Sequence, residues 1–265
     1  MRTVVAAAIV TTSVLAALLL PGCNEDDDDG DGNGSGVLTR DALVGTWAWS
    51  DGTNSESYEF RGDGTLTYDY TDELGPGSYE GTWSVTGGVL ETILGGTETE
   101  DGVTYTWEGT YASRAAVVGD TLHLYGAGVR TNGSGSSLDG TWELLETEEG
   151  TTTATGPDGT DTSSEAYEYE ETMTIDGSTF ESTWRELEFE EVTGNPPVDL
   201  EETGTYGGTI RVAGDSIFCT ITEEDGTPIP SADQAEEFLA YRAASNVIVL
   251  AEEGASLDDL GLQRQ

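Results

Sequence analysis

Four short segments recur in the same order along this chain, and within each copy apolar residues alternate with polar ones. Leu43-Val44-Gly45-Thr46-Trp47 returns as Leu138-Asp139-Gly140-Thr141-Trp142, and Phe60 to Leu66 is echoed from Ile175 to Phe180. Tyr79 to Gly87 is matched by Tyr206 to Gly214, and Ala112-Ser113-Arg114-Ala115-Ala116 by Ala240-Tyr241-Arg242-Ala243-Ala244. Ordered repetition of this kind marks a tandem duplication. The units run over residues 37–132 and 133–253, with a Gly/Ser-rich joint from Asn132 to Ser137 and a C-terminal tail over 254–265.

Period two is the signature of a strand with one apolar face. Leu66, Tyr68 and Tyr70 alternate with Thr65, Thr67 and Asp69, and Tyr79, Gly81, Trp83 and Val85 with Glu80, Thr82 and Ser84. Asp63-Gly64, Gly87-Gly88 and Gly119-Asp120 supply the turns that antiparallel hairpins require. Seven or eight short strands fit each unit, which predicts an all-β barrel or sandwich. The stretch Glu146 to Glu165 has almost no large apolar residue and is expected to be a mobile loop inserted in the second copy. Ser231 to Arg242 has the cap and spacing of one short helix, although its alignment with a first-copy strand opposes that at the later end.

The N-terminus carries one cation, Arg2, then an uncharged and mostly apolar stretch from Thr3 to Leu20, then Leu20-Pro21-Gly22-Cys23. That order is the layout of a signal peptide over residues 1–22. Its last four residues resemble the lipobox of bacterial lipoproteins, with Pro21 a less usual occupant of the middle position. The resemblance implies cleavage before Cys23 and diacylglycerol on its sulfur. Two or more acyl chains anchor stably, at about 0.8 kcal/mol for each buried methylene. Asn24 stands where an aspartate would signal inner-membrane retention in enterobacteria-like systems, so the expected location is the outer membrane, periplasmic or surface-exposed. Residues 23–36, acidic and glycine-rich, read as a flexible tether. Asp27, Asp29 and Asp31 echo the start of a calcium loop, but its twelfth position is Leu38 and not a bidentate glutamate.

The chain holds 52 acids against nine basic residues, no lysine, and a formal charge of −43. A nucleic-acid partner is disfavoured because nothing neutralises phosphates, and adsorption to anionic lipid is disfavoured for the same reason. The lipid on Cys23 is then the one expected membrane attachment. Self-repulsion on this scale is relieved by salt, so the acidity fits either a saline habitat or the acidic secretome of a high-GC genome.

Catalytic constellations are missing. His123 is the single histidine, expected on a surface or rim with Thr121 and Tyr125. No zinc-type Cys/His cluster, nucleophile elbow or phosphate loop is present, and no enzyme activity, metal or cofactor is expected. With this many acids some close carboxylate pair is inevitable and carries no information by itself. With Cys23 committed to lipid, Cys219 has no intrachain partner; alternation sets it inward in register with Ile217 and Ile221, aligned with Thr92, as a small buried hydrophobe.

Gly-x-Trp on the first strand, a meander of alternating strands and a late arginine together resemble the lipocalin-like, or calycin, barrels. The resemblance implies two tandem antiparallel β-barrels. It also implies that Trp47 with Arg114, and Trp142 with Arg242, close the barrel ends, preceded by Gly45 and Gly140. The chain departs from that family in lacking a Thr-Asp-Tyr signature and a disulfide. A barrel mouth can hold one small apolar molecule; equally, Tyr68, Tyr70, Tyr79, Trp83 and Trp107 can fill it. The sequence therefore admits an envelope protein that binds a small apolar ligand through residues it does not identify, or a structural or protein-interaction module with a partner it does not name.

Overall fold

The structure is a computed structural model that describes residues 38–265 apart from 73–74, 101, 125–126, 134–137, 158, 214–215, 232–233, 235, 245–246 and 252–260. The segments expected to be a signal peptide and a tether, and Cys23 between them, lie outside the described residues.

The architecture is all-β: among the described residues one four-residue helix, α1 (Arg40–Leu43), precedes a single antiparallel sheet of 18 strands. The first copy supplies β1 (Gly45–Ser50), β2 (Ser55–Phe60), β3 (Thr65–Asp72), β4 (Gly75–Thr86), β5 (Val89–Glu100), β6 (Val103–Ser113), β7 (Ala116–Val118), β8 (Thr121–His123) and β9 (Ala127–Asn132). The second supplies β10 (Gly140–Gly156), β11 (Gly159–Asp176), β12 (Thr179–Val192), β13 (Val198–Ala213), β14 (Ser216–Glu224), β15 (Thr227–Pro228), β16 (Glu236–Ala244) and β17 (Val247–Ala251). The tail contributes β18 (Leu262–Arg264).

Residues 146–165 form the hairpin of β10 and β11, in unbroken register from Gly140↔Ile175 to Gly156↔Gly159, and not a loop. Threonine is β-branched and suits a pleated strand. Thr151 with Ser164, Thr153 with Thr162 and Thr155 with Thr160 pair their hydroxyls across it at 3.2–3.4 Å. Because β6 pairs with the other edge of β10 from Glu146 to Thr155, its backbone groups are satisfied on both sides without a large apolar side chain. Of the stretch 231–242, which has the cap and spacing of a short helix, the later part from Glu236 is strand β16, paired with β14 and β17, as its alignment with a first-copy strand indicated.

The two copies share their register around the floor. Trp47 faces Tyr58 as Trp142 faces Met173, and Trp83 faces Thr92 as Ile210 faces Cys219. Gly45 and Gly140 adopt φ of 138° and 140°, a region closed to side chains with a Cβ, which explains the glycine in both copies. Both tryptophans are fully buried, and each indole N–H donates to a carbonyl four residues earlier, Leu43 at 2.7 Å and Leu138 at 2.9 Å. Around them lie two separate apolar floors: Leu43, Phe60, Leu66, Trp83, Leu90 and Leu94 in the first unit, and Met173, Ile175, Phe180, Ile210, Ile217 and Cys219 in the second.

The end strands are exchanged. By chain order β9 belongs to the first copy, yet it pairs with β10 and β17 of the second. β18 follows the second copy, yet it pairs with β1 and β8 of the first. Only residues 133–139 separate β9 from β10, so closing that ladder costs little loop entropy. This leaves the edge of β1 to the chain's last strand. From β10 the ladders run through β11, β12, β13, β14, β16 and β17 to β9, which pairs again with β10.

Candidate functional site

Strand exchange decides which arginine meets which tryptophan. Arg264 lies directly opposite Trp47 in the ladder, its guanidinium 4.7 Å from the ring centroid, and it donates to the Ala42 carbonyl at 2.6 Å. Arg130 occupies the same place against Trp142, at 4.6 Å, and is buried. Arg114 instead pairs with Glu143 at 2.7 Å, and the backbone of Arg242 lies on β16 opposite Val249. The structure thus brings both tryptophans to the expected floors and supplies their cations from β18 and β9.

His123 is fully buried, which corrects the surface or rim placement. The cause is again β18: the tail returns across β8, and Gly261 packs so close that a Cβ there would lie 3.0 Å from the imidazole Cε1. Cys219 is fully buried on the second floor, as alternation indicated.

Above each floor the apolar face continues toward the hairpin tips, and the two units carry a carboxylate at the same place. Glu56 sits in β2 between Trp49 of β1 and Tyr70 of β3; Glu171 sits in β11 between Leu144 and Trp184. Tyr70 lies across Gly77, where a Cβ would come within 2.2 Å of its ring, and Trp184 lies across Gly204, with 2.8 Å for the same test. Each glycine thus makes room for an aromatic ring beside the acid.

In the second unit that acid is enclosed. Glu171 is 1% exposed, and Ser182 Oγ donates to it at 2.5 Å, Tyr169 Oη at 3.0 Å, and Tyr206 Oη also. Burial pushes its carboxyl above the ordinary carboxylate range, while the three hydroxyls pull it back by hydrogen bonding to the charged form. Further along the same face stand Glu146, Tyr167, Glu186 and Glu188, so the level above the floor is carboxylate-rich.

The first unit is different. Tyr58, Tyr68, Tyr70, Tyr79 and Trp107 form a continuous half-buried array: Tyr58 and Tyr68 have centroids 4.6 Å apart, Tyr70 and Tyr79 5.4 Å, and Tyr79 meets Trp107 edge-on at 4.6 Å. Tyr70 and Tyr79 share a hydrogen bond of 2.9 Å between their hydroxyls. At the tips of β1–β4 an open hollow of about 830 Å³ is lined mainly from the opposite face, by Ser50, Ser57, Asp69 and Ser78 among others together with Gln263 of β18; Trp49, Glu56 and Tyr70, which alternate to the face of the array, also border it. Glu56 is half-buried and makes no hydrogen bond or ion pair with the described residues; burial raises its carboxyl above the ordinary range.

Three residue sets escaped the sequence reading: Arg130 with Arg264, Glu56 with Glu171, and Gly77 with Gly204. The match of Phe60 with Ile175, carried four residues upstream, aligns Glu56 with Glu171, a charge breaking the same apolar alternation in both copies. The arginines carry no such signal, because their pairing depends on the exchange. Comparison of the chain with family models, with curated proteins and with solved structures finds no match.

Proposed function

We propose that this is a non-enzymatic, lipid-anchored envelope protein, held at the outer membrane through Cys23, whose two units are lipocalin-like barrels and whose first unit binds a small apolar ligand. The observation that carries the binding reading is the half-buried aromatic array of Tyr58, Tyr68, Tyr70, Tyr79 and Trp107 on the face that continues up from the first floor. Ligand sites are mostly apolar concavities of a few hundred cubic ångströms with a few placed polar groups. The barrel reading is supported by ladders that leave β10 and come back to it, and by a tryptophan–arginine pair against each floor. The membrane reading rests on the lipobox alone, and replacing Cys23 by Ser should move the protein from the membrane to the soluble fraction.

A second reading, a structural or protein-interaction module, is supported by the carboxylate-rich hairpins of β10–β13. Titrating the Cys23→Ser chain with the neutral fluorophore N-phenyl-1-naphthylamine separates the two. Saturable binding weakened by Tyr68→Ala or Trp107→Ala, and unchanged by Trp184→Ala, supports the ligand reading. No saturable binding leaves the interaction module.

A further inference from the structure

We propose that the outer edge of β13, from Val198 to Thr203, is a docking site for an extended basic segment of another protein, which joins the sheet there as one more antiparallel strand. The site is separate from the aromatic array of the first unit and stands whether or not that array holds a ligand. It begins with an unequal pairing. Along one edge β13 is matched to β12 without interruption from Val198 to Thr209, but along the other it meets β14 only from Tyr206 to Ala213. The lengthened part of the hairpin outruns its neighbour, and no described strand lies beside residues 198–204 on that side.

Thr205 fixes how the backbone is turned. Its N–H donates to the Asp225 carboxylate at 2.9 Å, and its carbonyl accepts from the Asp225 N–H at 2.8 Å, both across the outer edge. The direction of these groups alternates along a strand, so the N–H and C=O of Asp199, Glu201 and Thr203 point outward as well. None of them has a hydrogen-bond partner among the described residues. Neither a proline nor a shift of register against β12 interrupts the edge. Such a row of open donors and acceptors is what an added strand pairs with.

The side chains state what kind of strand. Val198 and Leu200 share one face and are 47% and 51% exposed; Asp199 and Glu201 stand on the other. A strand laid on this edge puts the residues opposite Val198 and Leu200 at non-hydrogen-bonded positions, where side chains approach most closely, and its alternate residues opposite the acids. Apolar residues alternating with lysine or arginine fit that pattern, covering exposed apolar surface on one face and meeting opposite charge on the other. Arg185 answers part of the charge of Glu201 at 3.0 Å, while Asp199 has no cation among the described residues. A second copy of this chain does not fit. Two such edges paired antiparallel about Glu201 set that acid opposite itself, on bodies that each carry −43.

The test follows a labelled peptide of alternating valine and lysine by fluorescence anisotropy as it binds the full Cys23→Ser chain, in about 0.15 M NaCl. With lysines opposite Asp199, Glu201 and Thr203, the lysine N–H groups face β13 and the valine N–H groups face away. Methylating the lysine peptide nitrogens should weaken binding about tenfold or more, and methylating the valine nitrogens should change it less than about twofold. Thr203→Pro removes an outward N–H, breaks no ladder bond of the protein and leaves its charge unchanged. It should weaken the unmodified peptide to a similar degree, with a urea midpoint near that of the parent chain as the check on folding; if it does not fold, the two methylated peptides on the parent chain decide. Equal loss from both methylated peptides, or loss from the valine set instead, overturns the inference. So do equal binding of a peptide with its valines and lysines in separate blocks, absence of saturable binding, and a dimer of the parent chain that Thr203→Pro dissociates. None of these outcomes bears on the N-phenyl-1-naphthylamine titration, which tests the first unit alone.

Discussion

The two units share a floor and differ in the level above it. In both, a tryptophan follows a glycine at φ near 140°, donates its indole N–H to a carbonyl four residues back and lies under an arginine. In both, a glutamate stands one step up the same face, beside an aromatic ring lying over a glycine. From there the second unit closes hydroxyls over its glutamate and adds carboxylates along lengthened hairpins, while the first stacks uncharged rings and leaves its glutamate half-buried with no hydrogen bond from the described residues. Close packing fixes the floor, because buried volume tolerates little change. The upper level is half-exposed, and there one register position can serve an enclosed polar cluster or a stack of aromatic rings.

Substitutions at equivalent positions test how far that equivalence extends. The largest effect is expected from Trp47→Ala and Trp142→Ala, each costing about 3–5 kcal/mol. Urea unfolding should give similar losses for both; a loss confined to one would show that the floors are alike in shape and not in weight. Next comes Tyr206→Phe, which takes a hydroxyl from the buried Glu171 and should cost about 1–3 kcal/mol, against about 0.5–1.5 kcal/mol for Tyr79→Phe, where a neutral hydrogen bond is lost. If the two cost the same, the Glu171 cluster is no tighter than the array it replaces.

The arginines should differ in the same spirit. Arg130 is buried and Arg264 exposed. Replacing Arg130 by Met should cost about 2 kcal/mol and Arg264 by Met about 0.5 kcal/mol, by thermal or urea unfolding. The smallest and most specific effect is a pH dependence. Burial raises the folded-state pKa of Glu171 above its unfolded value. The folded state therefore holds the proton more tightly, and this contribution to stability is complete below the unfolded pKa and is lost as pH rises through the folded one. The stability of the parent chain relative to Glu171→Gln should fall across that window. A difference that stays flat with pH would mean that the three hydroxyls fully offset burial.

Much of this was legible in the residues. Alternation marked the strands, the apolar face and the inward cysteine, and repetition marked the two floors, down to the alignment of Thr92 with Cys219. Reading 146–165 as a loop failed because strand formation there draws on ladders to β6 and β11 and on threonine pairs, not on an apolar face. His123 was misplaced because what covers it is the far end of the chain.

By itself, then, the sequence determined what is local: a strand every ten residues or so, a glycine where the backbone needs positive φ, a tryptophan at the start of each copy, and a carboxylate interrupting both apolar faces at one position. Tertiary structure alone decided what is joined across the copies. β9 closes on β10 because only residues 133–139 lie between them, and the edge of β1, left without that strand, is filled by the C-terminus. From that one exchange follow the arginine over each tryptophan, the burial of His123 and the glutamine from β18 in the wall of the hollow. Such pairings are set by the relative entropy of closing alternative loops, which no segment encodes on its own.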